Sequence, residues 1–297
     1  MRQHIKIFAR IGELIQGMLP DQTHFLVSGL PSRLFFSEAI LEDAPFSSID
    51  LPPKALLALH LLLRTYAGRP GVSGEELVTD LLREKKLSIH SNIPPGKGLS
   101  SSSTDLLSVL FLVNEYLHAG LGTGELYKLA VEIEPTDPCL SDEVLLFYQR
   151  EGRVARSFSL PPLSIVYFDP MPGTGINTLD LERKYDAGQR IAFEGLLRRW
   201  DQAVAEKDLS TLLSCVTQSA VYNQAILALP HFDRCLQVAL KHQAGLTVAH
   251  SGTIVGFITG SPATKALLSD VQELANPDRT TGASLETRVY SETWDPR

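Results

Sequence analysis

The 297-residue sequence is poor in cysteine, methionine and tryptophan, with three, three and two of each. Cys139, Cys215 and Cys235 are an odd number at unrelated spacings without a C-x-x-C pair, so they build neither a disulfide framework nor a zinc site. A reducing, cytoplasmic compartment is expected. Long apolar runs are lacking too: the longest, at 55–63 and 106–113, fall well short of the roughly 20 residues that a bilayer crossing requires. Residues 1–12 carry Arg2, Lys6 and Arg10 in place of a secretory signal's uninterrupted apolar block. No membrane partner is expected. Basic charge is in deficit, with 27 Lys and Arg against 34 Asp and Glu and a net charge of -7. That removes the cationic footprint on which nucleic-acid binding depends. The 18 prolines and 21 glycines are scattered and no segment repeats at a solenoid period, which excludes collagen, low-complexity and repeat architectures. What is present is a chain 44% hydrophobic and 21% charged, able to bury a large core and long enough for two domains.

Residues 5–36 mix β-favouring residues with the turn signal Leu19-Pro20-Asp21, predicting opening strands. From Lys54 the leucines fall at helical spacing until Gly68 and Pro70 stop them. A second helix is predicted over 74–82, then a strand over 87–91 that ends at Pro94-Pro95-Gly96. The loop 94–103 leads into an apolar helix over 106–117, and a further helix over 124–132 ends where Pro135 and Pro138 forbid continuation. A strand pair is expected at 144–148 and 153–158, and Leu160-Pro161-Pro162 marks the domain joint. The second half reads as a strand at 163–168, helices at 187–205, 209–227 and 232–241, strands at 245–250 and 254–259, and a helix from Pro262. Without a regular βαβ rhythm, the fold class is α+β, with domains at 1–160 and 161–297.

The stretch from Pro94 through Pro95, Gly96, Lys97, Gly98, Leu99, Ser100, Ser101, Ser102 and Ser103 to Asp105 is chemically an anion cradle. Glycines let backbone curve around phosphates, the following helix offers unpaired N–H groups, and serine hydroxyls add donors or reach a magnesium ion. It is neither a Walker P-loop nor a dinucleotide fingerprint. Taken alone it also reads as a serine-rich helix cap. Two acids follow it three residues apart, Glu134 and Asp137, and Asp137 equally suits the start of a turn at Pro138. No histidine pair sits at metal-ligand spacing. His250, next to Ser251-Gly252, reads as a strand-end histidine bonded to backbone, with contact to the active site as the alternative, and no G-x-S-x-G elbow supports a hydrolase at Ser251. Arg10, Arg33 and Lys97 are the basic residues nearest these elements and the candidates for pairing a substrate carboxylate.

In register, Pro94, Gly98, Leu99, Ser101 and Ser102 resemble the second motif, P-x-x-x-G-L-G-S-S-A, of the GHMP small-molecule kinases, with Ser100 and Ser103 replacing its second glycine and its alanine. Gly12-Glu13-Leu14-Ile15-Gln16-Gly17 is similar to that family's G-E-H stretch beside the acceptor, and Ser251-Gly252-Thr253-Ile254-Val255-Gly256 to its third, glycine-rich motif. Together with Glu134-Pro135-Thr136-Asp137, the first of these most resembles the branch that phosphorylates L-threonine for the cobalamin side chain. The resemblance implies a two-lobed α+β kinase with ATP in the N-terminal lobe and a hydroxy amino acid between the lobes. It implies phosphate binding by residues 95–103, magnesium on Ser102 and Glu134, and Asp137 as catalytic residue. Glu132 or Glu143 stands as an alternative to Glu134. Glu13, Gln16, Gly17, Gly252 and Thr253 would border the substrate. Homoserine is the alternative acceptor, Ser100 motivates the rival reading of a non-catalytic nucleotide binder, and a homodimer is left open.

Overall fold

The computed structural model describes residues 2–68, 83–176, 184–260, 262–276 and 287–296. Strands β1 (Arg2–Met18) and β2 (His24–Asp43) form a long antiparallel hairpin about the Leu19 turn. Strand β3 (Ser48–Asp50) and helix α1 (Pro53–Ala67) come next; Pro53 at the first helical position costs no hydrogen bond there. Strand β4 (Lys85–Ser91), helix α2 (Ser101–Tyr116), helix α3 (Thr123–Val131) and the hairpin of β5 (Val144–Tyr148) with β6 (Arg153–Phe158) complete the first part. The second part holds β7 (Leu163–Phe168), α4 (Ala187–Glu206), α5 (Leu209–Asn223), α6 (Phe232–Lys241), β8 (Gly245–Val248), β9 (Val255–Thr259), α7 (Lys265–Ala275) and β10 (Val289–Trp294).

These strands make one ten-stranded sheet in the order β10-β7-β9-β8-β1-β2-β4-β3, with β5 also paired to β2 and β6 to β5. It is antiparallel except for β3 beside β4. The fold is α+β, as expected. Helices α1, α2 and α3 close one end over Leu59, Leu62, Leu106, Val109, Leu110 and Val113. Each such side chain contributes about 1.5–3 kcal/mol by leaving water. Helices α6 and α7 cover β7, β8 and β9 through Leu246, Phe257, Leu267 and Val271. A third cluster joins the two, packing Ile15 and Phe25 with Phe193, Trp200 and Ile258. The joint at residues 160–162 falls between β6 and β7, and the division there remains a proposal about folding units bridged by this shared cluster.

Most expected elements are found within a few residues of their expected bounds. The helix expected at 74–82 lies outside the described residues. Helix α2 begins at Ser101 instead of Leu106, so the serines form its first turn. Strands β3 and β10 are additions. In β10, Glu292 is held by the Tyr167 hydroxyl at 2.5 Å and the Ser32 hydroxyl at 2.9 Å, contacts too distant in sequence for local pattern to reveal.

Candidate active site

Two devices shape the glycine loop between β4 and α2. Gly96 and Gly98 take φ of +69° and +80°, and Ser100, at the helix N-cap, takes +56°. Glycine adopts this region freely, whereas serine is strained there. The loop is also braced by the turn between β8 and β9: Thr253 and Ile254 donate their N–H groups to the Lys97 carbonyl at 3.0 and 3.1 Å. A Cβ on Gly252 would stand 2.1 Å from the Gly98 nitrogen, and one on Gly98 2.1 Å from the Ala249 Cβ. Close backbone approach therefore requires glycine at both positions. On the other side, Ile176 donates its N–H to the Gly96 carbonyl at 2.9 Å.

The loop opens onto a cavity of about 480 Å³. Its wall contains Pro95, Gly96, Gly98 and Ser100 to Ser103 from the loop and α2, Glu134, Pro135 and Asp137 from the segment after α3, and Glu13 from β1. The first turn of α2 has no carbonyl behind its N–H groups within the helix, so that end presents donors and positive potential to an anion. Asp137 is half-buried at the wall. The Ser103 hydroxyl accepts its N–H at 3.0 Å. Loss of solvent raises the Asp137 pKa, opposed by a hydrogen bond from the Ser100 hydroxyl and by the Arg10 charge, while the Glu134 charge adds to the rise. Ser100 thus gives the carboxylate a donor that a glycine would lack.

Glu13 is aimed by a local irregularity. Gly12 has φ of +58° and the β1–β2 register shifts between Glu13 and Ile15, a bulge that redirects side chains. The Glu13 carboxylate accepts the His250 N–H at 3.2 Å. His250 is buried; its Nδ1 meets the Gln16 Oε1 at 3.0 Å and its Nε2 the Gln149 Nε2 at 3.0 Å. An amide oxygen accepts and an amide nitrogen donates, so this ring is the neutral Nδ1–H tautomer.

Residues 57–142 match the GHMP kinases N terminal domain. That segment of the chain is a GHMP kinase N-terminal domain. The chain is 26% identical over 255 residues to the L-threonine kinase of Citrobacter freundii, covering 84% of each chain. Its fold is similar to that of homoserine kinase from Cytophaga hutchinsonii, with a TM-score of 0.63 at 15% identity over 98% of this chain and 95% of that one. It is also similar to Methanococcus jannaschii mevalonate kinase, at 0.69 and 13% over 100% and 99%.

The fold brings most of the sequence-predicted residues to one wall, with informative exceptions. Lys97 turns away: its ammonium pairs with Asp169 at 2.6 Å and donates to the carbonyls of Met171 at 2.7 Å and Pro172 at 3.0 Å. Leu99 is buried in the core. Gly17 lies under Phe193, where a Cβ would come within 2.5 Å of the ring. Gln16, Gly252 and Thr253 stand behind the wall as supports. Glu134 lines the cavity, whereas its alternatives Glu132 and Glu143 are exposed outside it. Arg10 is buried, donating to Ser28, Gly29, Pro138 and Glu143, and Arg33 is exposed beside Asp142. Neither lines the cavity. Sequence reasoning missed Lys54 and Gln149, whereas Ser251 of the third motif and His250 beside it do line the wall. For Lys54 one signal was available: a lysine in a helix's first turn opposes the macrodipole, and that calls for a reason.

Proposed function

We propose that the chain is a GHMP-family kinase that transfers the γ-phosphoryl group of ATP to the side-chain hydroxyl of an amino acid, with L-threonine the foremost acceptor. The observation that carries the reading is that Asp137 lines the same cavity as Ser100 to Ser103 of the N-terminal turn of α2. A phosphate acceptor site and a proton-accepting group are the two parts that alcohol phosphorylation needs in one place.

The N–H groups from Gly98 to Ser102 would hold the phosphate chain. Ser102 and Glu134 supply hard oxygen donors on the cavity wall, which suits magnesium. Among the described residues no group of three or more His, Cys, Asp or Glu side chains could hold an ion. Phosphate oxygens and water would complete the shell, the usual arrangement for this cation. Bound there, magnesium would neutralise phosphate charge. Asp137 orients the acceptor hydroxyl and takes its proton as the oxygen bonds to phosphorus and the bond to the ADP oxygen breaks. Glu13 borders the acceptor and suits its ammonium, while Gln16 holds the His250 ring of that wall.

The L-threonine assignment is supported by the Citrobacter relative and by Glu13 and Glu134-Pro135-Thr136-Asp137 in the motif positions. Homoserine differs by one carbon in hydroxyl position and is the second acceptor to try. A non-catalytic role, motivated by Ser100, is opposed by the donor that Ser100 provides to Asp137. The compartment proposed is the cytoplasm; the three cysteines are buried and unpaired as disulfides, and no helix among the described residues is long and apolar enough to cross a membrane. The test is ADP release from MgATP with each hydroxyl-bearing amino acid in turn, alongside mevalonate and galactose. The reading expects dependence on an amino acid and the greatest rate with L-threonine. Turnover driven by a sugar or by mevalonate would contradict it.

A further inference from the structure

Glu134 and Lys54 face each other across one corner of the cavity. They form an ion pair in which the Glu134 side chain is 3% exposed and that of Lys54 36%. Glu134 belongs to the segment after α3, whereas Lys54 sits in the first turn of α1, which contains no acidic residue. The helix dipole disfavours a cation there, so α1 itself gives no reason for this lysine. The cavity does. Among the described residues lining it, Lys54 is the one lysine or arginine, against Glu13, Glu134 and Asp137.

A buried carboxylate left unpaired is costly, yet phosphates entering beside three acids would be repelled unless a cation met them. One flexible ammonium can serve both needs in turn, because its four-carbon stem swings without disturbing the helix. Building on the kinase reading above, we propose that Lys54 is an exchangeable counter-ion. It neutralises Glu134 in the nucleotide-free cavity and turns to a phosphate oxygen once Glu134 takes a divalent cation. Lys54 and the cation therefore compete for Glu134, and Lys54 and Glu134 have opposite effects on metal-free nucleotide.

The test is equilibrium binding of ATP by calorimetry, without acceptor, first in EDTA and then across a magnesium titration. Lys54→Gln should bind metal-free ATP about tenfold more weakly and reach half-maximal magnesium response at a lower concentration, since its rival for Glu134 is gone. Glu134→Gln should bind metal-free ATP as well as the wild type or more tightly, and lose the magnesium response. Unchanged metal-free affinity in Lys54→Gln, or a magnesium midpoint that rises, overturns the proposal. Should Lys54→Gln fail to fold, Glu134→Gln decides: weaker metal-free binding there overturns it. A wild type that binds no ATP overturns the kinase reading and this inference with it, whereas a wild type that binds ATP with both variants unmoved overturns the inference alone.

Discussion

Two lysines near two helix N-termini have opposite fates. Lys97 lies inside the glycine motif before α2, where a sequence reader looks for a phosphate ligand, and the fold spends its ammonium on Asp169 and on carbonyls of residues 171 and 172. Lys54 lies in no motif, at the start of α1, and faces the cavity beside Glu134. The motif specifies a backbone path, because glycines at φ near +70° and close contact with Gly252 allow little else. It does not specify where a long flexible side chain finds its partner. That depends on which acids the tertiary fold brings near, and Asp169 and Glu134 divide the two lysines between structure and site.

Variants can break or sharpen this contrast. Gly252→Ala forces a Cβ against the Gly98 nitrogen and the Lys97 carbonyl; destabilisation of about 3 kcal/mol is expected, read as a Tm lower by several degrees, with weakened ATP binding. Lys97→Met should cost about 2 kcal/mol by leaving Asp169 without its cation. Its metal-free ATP affinity should stay within about twofold of wild type, the reverse of Lys54→Gln, and a tenfold loss would restore Lys97 as a phosphate ligand. Ser103→Ala removes the acceptor for the Asp137 N–H and should cost about 1 kcal/mol, with a lower kcat and an unaltered magnesium requirement. Ser102→Ala should instead raise that requirement at unchanged Tm. A small net stability effect is expected for Ser100→Gly as well, where relief of about 0.5–1 kcal/mol of left-handed strain offsets the lost donor to Asp137. Ser100 opposes the rise in the Asp137 pKa, so its replacement should move the acidic limb of the pH–kcat profile further upward. A profile that does not move would separate Asp137 from the titration.

Much of this was legible because the relevant signals are local. Glycines and prolines punctuate the strand, loop and helix that carry the proposed anion site, and paired prolines mark the segment of Glu134 and Asp137. Glu134 itself was separable from Glu132 and Glu143 by its burial in the cavity, a property that spacing does not encode. The start of α2 was placed late because apolar periodicity begins only at Leu106, while its first turn consists of serines whose work is hydrogen bonding. Strand β10 depends on Glu292 meeting Tyr167 and Ser32. His250 was read as bonded to backbone, and it is held instead by Gln16 and Gln149 from two other elements. Each of these rests on contacts between segments far apart in the chain.

The central claim is that Asp137 acts on an acceptor hydroxyl in the cavity that receives ATP. Its most direct test is turnover of Asp137→Asn with MgATP and L-threonine, beside ATP affinity and Tm for the same variant. Asparagine keeps the size and the turn-forming ability of aspartate and removes the proton-accepting charge. The account predicts a fall in kcat of about a hundredfold or more, with ATP affinity and Tm close to wild type. Near-normal turnover in the folded variant would contradict it and assign Asp137 to the turn at Pro138.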